Sequence, residues 1–268
     1  MQIDPLCVWK NIQTIKETSP LIHNITNYVA MQQTANALLA IGAAPVMAHA
    51  IDEAESMAKI ANALVLNIGT LSSPWIKGMK IAHFAANAKG IPIVFDPAGS
   101  GSTFYRTATA NSILNQGRIA AIRGNASEIV SLIDDCFVTK GVESKLCPED
   151  HIKQAKKLAL LNHCIVVMSG SIDVITNGEI VCLVHNGDPL MTKSTGMGCI
   201  ATALMGAFLA THQNSLLGSL HTMIVMGIAG EMAAKEADGP ASFKIAFIDK
   251  LYQLTLDEIK KYLRAEVI

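Results

Sequence analysis

Three short stretches of the chain combine residue types that could do chemistry. The first is Thr195-Gly196-Met197-Gly198-Cys199, which leads into a long apolar run. Glycines let the backbone turn sharply and approach a ligand closely. Amide N–H groups at a helix start carry the positive end of the helix dipole, which suits a phosphate. Phosphoryl transfer needs such donors around the transferring group. Gly196 and Gly198 are therefore candidate catalytic positions, although a glycine-rich helix start that binds nothing has the same pattern. Cys199 falls in the first turn of that helix, where the dipole favours a thiolate. A buried structural cysteine fits the position equally. A cysteine nucleophile for acyl transfer is a third reading. It needs a histidine base, and spacing alone does not place His23, His49 or His185 beside Cys199.

The other two stretches supply charge. Asp96 ends the apolar run 92–95 and is followed by Pro-Ala-Gly-Ser-Gly. A carboxylate at a strand end facing a glycine loop can hold Mg2+ directly or through water, since such sites use one or two carboxylates plus substrate phosphates. Asp before Pro is also an ordinary turn former. Asn125-Ala-Ser-Glu128 has the spacing of a capping box, with Asn at the N-cap and Glu three residues on. Glu128 could in addition hold a water of the same Mg2+, and the two roles do not exclude each other. Arg123 ends another apolar run and offers a planar fork of donors that matches phosphate oxygens. Its plainer role is a surface ion pair. Ser169 could donate to a phosphate or close a turn.

The elements that must position these residues alternate along the chain. β-rich runs at 21–25, 44–46, 63–67, 92–95, 120–122 and 165–168 are each followed by turn residues and a helical pattern. A hairpin is expected between 174–175 and 180–183, across Asn177-Gly178. Helices are expected at 28–41, 52–60, 73–89, 102–115, 126–133, 149–162, 198–210, 215–236 and 244–263. Such alternation predicts an α/β fold, with a mostly parallel central sheet and helices on both faces. No composition break divides the chain, so residues 1–268 read as a single domain. Open α/β sheets bind ligands at the carboxyl ends of their strands. Asn24, Met47, Asn67, Asp96, Arg123 and Ser169 all fall at or near such ends. Their recurrence points to one site along one edge of the sheet.

Composition narrows the classes of function. Half of the 268 residues are hydrophobic and only 16% are charged, which excludes a disordered chain. Lys and Arg number 21 against 22 Asp and Glu, so no basic field exists to attract nucleic acid. Aromatic residues make up 5%, too few for a base-stacking surface. Residues 18–51 and 194–230 lack Asp, Glu, Lys and Arg, yet polar residues interrupt both before the ~20 apolar residues of a membrane span. Both are expected as buried helices, with no membrane partner. The first residues lack the basic and apolar regions of a signal peptide. The six cysteines are scattered, with no C-x-x-C pair, as expected of reduced thiols in a cytoplasmic protein.

Several of these stretches, taken in order, resemble one family. Pro20-Leu-Ile-His-Asn-Ile-Thr-Asn27, Pro45-Val-Met-Ala-His-Ala50, Leu66-Asn-Ile-Gly-Thr70 and Phe95-Asp-Pro-Ala-Gly-Ser-Gly101 carry the first half. Ile122-Arg-Gly-Asn-Ala-Ser-Glu128, Pro189-Leu-Met-Thr-Lys193, Gly196-Met-Gly-Cys199 and Gly239-Pro-Ala-Ser-Phe-Lys244 carry the second. Together they are similar to the hydroxyethylthiazole kinases, thiamine-salvage enzymes of the ribokinase-like superfamily. The resemblance implies ATP-dependent phosphorylation of the hydroxyl of 4-methyl-5-(2-hydroxyethyl)thiazole, with ATP as co-substrate and Mg2+ as cofactor. It further implies a homotrimer with active sites between subunits. Met47 and Gly196 match thiazole-binding positions, and Asn24 lies in the matching His-Asn-Ile-Thr-Asn stretch. Arg123 and Ser169 match ATP-binding positions, while Asp96 and Glu128 match the acidic residues near Mg2+ and the phosphates.

The chain also departs from the family pattern. Met197 stands where Thr is usual, Ser169 replaces a Thr but keeps its hydroxyl, and Glu143 stands in place of Asp. Related sugar kinases have Asp at the position of Cys199, and cysteine there is typical of the thiazole kinases. Two neighbours on the same fold, the hydroxymethylpyrimidine kinases and the NAD(P)H-hydrate dehydratases, would be expected to carry that Asp. A nucleotide-binding protein without chemistry would not be expected to keep Asp96, Glu128 and the glycine loop together.

Overall fold

A computed structural model describes residues 3–133 and 146–268, so Cys136 and Glu143 lie outside the described residues. Six parallel strands carry the site: β1 (Leu21–Ile25), β2 (Ala44–Met47), β3 (Ala63–Asn67), β4 (Ile93–Asp96), β5 (Ala121–Asn125) and β6 (Ile165–Ser169). The antiparallel strands β7 (Asp173–Thr176), β8 (Val181–Val184) and β9 (Ala265–Val267) extend the sheet on one side. The order is β2-β1-β3-β4-β5-β6-β7-β8-β9. The α/β architecture expected from the alternating runs is thus present, with a hairpin at Asn177-Gly178.

Strand side chains alternate between two cores. In β3, Ala63 and Val65 face one core, and Leu64 and Leu66 face the other. Burial on both faces explains why these strands read as continuous apolar runs. Helices α3 (Ile51–Ile60), α4 (Ser73–Lys89), α5 (Phe104–Leu114), α6 (Ala126–Ser131) and α7 (Ile152–Asn162) cover one face. The opposite face is covered by α1 (Pro5–Thr18), α2 (Met31–Ile41), α8 (Met197–Thr211), α9 (Ser215–Glu236), α10 (Pro240–Gln253) and α11 (Leu256–Tyr262). Helix α8 lies against the sheet through Gly206, where an added Cβ would come within 2.8 Å of Val65 Cγ2. Only glycine permits that approach, and the approach sets where the first turn of α8 meets the strand ends. Helix α9 is long and apolar enough to cross a membrane by length and composition, but 89% of its most apolar window is buried inside the protein.

Helix α1, the helix expected over 244–263 and strand β9 differ from the sequence expectation. Helix α1 was not expected, although Asp4 caps it through Leu6 N at 2.9 Å and Pro5 follows at the first helical position. Val8, Ile12 and Ile15 then bury one face of it. The helix expected over 244–263 is two helices. The chain turns at Leu254, and Thr255 with Glu258 forms a capping box that starts α11. Strand β9 is short and its pairing is non-local. Glu231 in α9 accepts from Arg264 Nη2 at 2.6 Å and from Asn186 Nδ2 at 2.8 Å, which ties the C-terminal segment beside β8.

Candidate active site

Parallel strands ending in register bring their last residues to one edge. Asn67 is level with Asp96, and Asn125 is level with Ser169. Above these ends sits the start of α8. Gly196 has φ +90°, a left-handed conformation open to glycine, and a Cβ there would also crowd Gln33 Oε1 at 2.7 Å.

Asp96 is only 2% exposed. Its Oδ2 accepts a hydrogen bond from Thr202 Oγ1 at 2.7 Å and lies 3.9 Å from Arg123 Nη1. Burial raises its proton affinity, opposed by Arg123, Thr202 and Asn67. Arg123 donates through Nη2 to Ser169 Oγ, and its Nε is buried without a partner. The same guanidinium fills the space over Gly198, where any Cβ would overlap it. Thr202 stands one helical turn after Gly198, and its Oγ1 also lies 3.1 Å from Gly198 O. Asp96, Arg123, Ser169 and Gly198 thus form one group.

Glu128 joins it from the start of α6. Its Oε2 accepts from Asn125 N at 2.8 Å, and Asn125 Oδ1 accepts from Glu128 N at 2.9 Å. The capping box is therefore present. Its other oxygen accepts from Gly99 N at 2.7 Å, which holds the glycine loop after Asp96. Burial, then repulsion from Asp96, pushes the Glu128 carboxyl up to about 7. A carboxyl with folded affinity above its unfolded value binds its proton more tightly in the native state. Its ionisation therefore costs stability as pH rises through about 7. The protein without ligands is expected to melt at higher temperature at pH 6 than at pH 8. Glu128→Gln should narrow that difference, and an unchanged difference in thermal melts at both pH values would rule out Glu128 as its source.

Cys199 sits beside this group, and the structure corrects the expected thiolate. Burial, then the negative charge of Asp96, pushes the thiol up to about 11, outweighing the Asn27 and Asn67 donors and Arg123. The sulfur accepts from Asn27 Nδ2 at 3.0 Å and from Asn67 Nδ2 at 3.4 Å. The histidines that a nucleophilic cysteine would need are engaged elsewhere. His23 Nε2 bonds Ala48 O, His49 stacks on Trp75 with ring centroids 4.4 Å apart, and His185 pairs with Glu266.

Met47 and Asn24 lie side by side at the ends of β2 and β1. Met47 is half-buried on the edge strand. Asn24 is buried, and its Nδ2 donates back to Ile22 O at 2.8 Å while Oδ1 has no partner. Of the two asparagines in this stretch, the one that reaches the sulfur is Asn27, three residues on.

Asn27, Thr202 and Arg106 were not singled out from the sequence, and Asn67 was named only among the strand ends. Asn67 is a strand-end residue, and Thr202 is at i+4 from Gly198, so both carried a positional signal. Arg106 carried none. It donates to Ala98 O at 2.6 Å, Ile68 O at 2.9 Å and Gly69 O at 2.8 Å, pinning the loops after β3 and β4 together.

Residues 12–257 match the hydroxyethylthiazole kinase family. A hydroxyethylthiazole kinase of Leptospira biflexa is 47% identical over 257 residues, 96% of both chains. One from Nitratidesulfovibrio vulgaris is 46% identical over 253 residues, 94% of this chain and 95% of the other. Among solved structures, the hydroxyethylthiazole kinase protein of Pyrococcus horikoshii OT3 superposes with a TM-score of 0.91. It is 37% identical, covering 98% of this chain and 99% of that one. The pyridoxal kinase of Staphylococcus aureus in complex with pyridoxal has a TM-score of 0.64 at 16% identity, covering 93% and 98%. That likeness extends to the ribokinase-like fold and no further. On both sequence and structure, the chain belongs to the hydroxyethylthiazole kinase family.

Proposed function

We propose that this protein transfers the γ-phosphoryl group of ATP to the hydroxyl of 4-methyl-5-(2-hydroxyethyl)thiazole. The observation that carries this reading is the glycine-started helix α8, with Arg123 over Gly198 and Asp96 behind it, in a chain of this family. The amides at Gly196 and Gly198 face the transferring group. Arg123 and Ser169 contact ATP, and the unpartnered Arg123 Nε is a donor free to take a phosphate oxygen. Met47, Gly196 and Asn24 line the side of the thiazole ring.

The residues fit Mg2+. Asp96 and Glu128 are buried, repel each other, and have the Arg123 guanidinium as a shared positive neighbour. A divalent cation would supply the missing charge. Among the described residues no cluster of three or more His, Cys, Asp or Glu could hold a metal. The remaining ligands would be phosphate oxygens and waters, as Mg2+ prefers. When bound, Mg2+ neutralises phosphate charge.

Two further features belong to the same proposal. The active unit is a homotrimer with sites between subunits; Tyr28 and Val29, beside Asn27, are 69% and 54% exposed, and a neighbouring subunit would cover them. Residues 1–268 act as a single domain in the cytoplasm, in keeping with free cysteines at 7, 147, 164, 182 and 199.

The reading is tested by ADP formation, which should require both the thiazole alcohol and a divalent metal. Equal ADP release without the alcohol would make the protein an ATPase. Cys199 variants separate a kinase from a cysteine nucleophile. In a kinase, residue 199 orients the hydroxyl or accepts its proton, help worth about 10²-fold at the low end of general-base catalysis. Cys199→Ala should be slower but measurable, and Cys199→Asp should be active, because a carboxylate can accept the same two N–H donors. A covalent nucleophile requires both to be dead at saturating substrates.

A further inference from the structure

Two carboxamides hold the sulfur of Cys199, and the backbone determines which of their ends faces it. The oxygen and nitrogen of an asparagine side chain have nearly the same shape, so their placement must be read from the neighbours. A backbone amide can only donate. Ala30 N donates to Asn27 Oδ1 at 3.1 Å, and Gly69 N donates to Asn67 Oδ1 at 2.9 Å. Each oxygen is thereby occupied by a backbone donor, and each nitrogen is the end left for Cys199. One hydrogen of Asn27 Nδ2 reaches Asn67 Oδ1 at 2.9 Å and the other reaches Sγ at 3.0 Å. Asn67 Nδ2 reaches Sγ at 3.4 Å. The sulfur accepts from both nitrogens, and neither nitrogen can accept in return. What the thiol has left to offer is its own hydrogen, which an ordinary thiol keeps at neutral pH.

We propose that Asn27 and Asn67 are positioning residues that hold Cys199 as a hydrogen-bond donor toward the alcohol oxygen, so that the thiol orients the acceptor hydroxyl rather than removing its proton. This rests on the kinase reading above. The pair is tightly enclosed. A Cβ on Gly69 would stand 2.9 Å from Asn27 Nδ2 and 3.0 Å from Asn67 Oδ1. The carbonyl of Gly69 is itself pinned by Arg106 at 2.8 Å. Asn67 also neighbours Asp96 in strand register, so the pair links the acceptor side of the site to its acidic side.

The test is a double-mutant cycle between each asparagine and Cys199, read as kcat/KM for the thiazole alcohol, with KM for ATP and the melting temperature measured alongside. With Cys199 present, Asn27→Ala and Asn67→Ala should each lower kcat/KM about five- to tenfold, the worth of a weak hydrogen bond or two. In the Cys199→Ala background the same substitutions should cost less than about twofold, because the group they act through is gone. A merely structural role predicts the same fold-loss in both backgrounds, and that result would overturn the proposal. Complete loss of turnover in Cys199→Ala would also overturn it, since an orienting donor is helpful but dispensable. Gly69→Ala displaces both carboxamides while deleting neither. It should show the same dependence on Cys199 and serves where an asparagine variant does not fold. Absence of ADP formation by the wild-type protein with the alcohol would instead sink the kinase reading, before any variant is compared.

Discussion

Asp96→Asn should lower kcat by at least about tenfold, the loss expected when a charged group that places Mg2+ is neutralised, and it should do so without lowering the melting temperature. The two halves of this expectation have one cause. Asp96 is buried, and ionising it there is unfavourable, as its raised proton affinity records. Arg123 at 3.9 Å and the Thr202 hydroxyl compensate only in part. Asparagine has the same shape, and its oxygen can still accept from Thr202, so the substitution removes a buried charge and keeps the packing. A residue retained for stability would not be one whose neutral isostere is tolerated. A residue retained for the charge it offers to a metal and phosphates would be. Steady-state rates with thermal melts on the same preparations decide the matter. A large drop in melting temperature with the rate loss would make Asp96 a structural residue of the β4 end.

Gly198→Val should lower kcat by about 10²–10³-fold, the range measured when a donor to a developing oxyanion is lost. Two obstacles coincide at this position. The backbone amide should meet the γ-phosphoryl group, and a branched side chain there would block its approach. In addition, any Cβ at residue 198 overlaps the Arg123 guanidinium, which must then leave Ser169. The second obstacle comes from the structure and alters the expected pattern. A block on the amide alone would slow turnover with ATP affinity almost intact. Displacement of Arg123 adds a several-fold rise in KM for ATP. Gly198→Ala isolates this part: it should raise KM for ATP in the wild-type background and have little further effect in Arg123→Ala. Near-normal turnover by a folded Gly198→Val protein would refute the placement of phosphate at the start of α8.

Chemical types and strand ends were legible in the sequence because both are local properties. Six parallel strands in alternation with helices follow from apolar runs bounded by turn residues, and the observed strands begin and end within three residues of those runs. Parallel strands bury both faces and bind at their carboxyl ends, so Asp96, Arg123 and Ser169 could be named before their contacts were known. The capping box at Asn125 and Glu128 was legible for the same reason, since its partners are three residues apart. Helix α1 and the break at Leu254 also carried local signals, Asp4-Pro5 and Thr255 to Glu258, which the apolar periodicity does not register. What only the tertiary structure decided were contacts between distant segments and the electrostatics that burial creates. Arg106 pins two loops by donating to backbone carbonyls, which no side-chain pattern reveals. Asn27 and Asn67 lie 172 and 132 residues from Cys199, and nothing near the cysteine announces them. The helix start at Cys199 pointed to a thiolate, yet the same fold sets the half-buried sulfur beside Asp96, and desolvation with that negative charge pushes the thiol up. A dipole is a property of the helix and can be read from a segment. Desolvation is a property of everything packed around it, and exists only once the chain has folded.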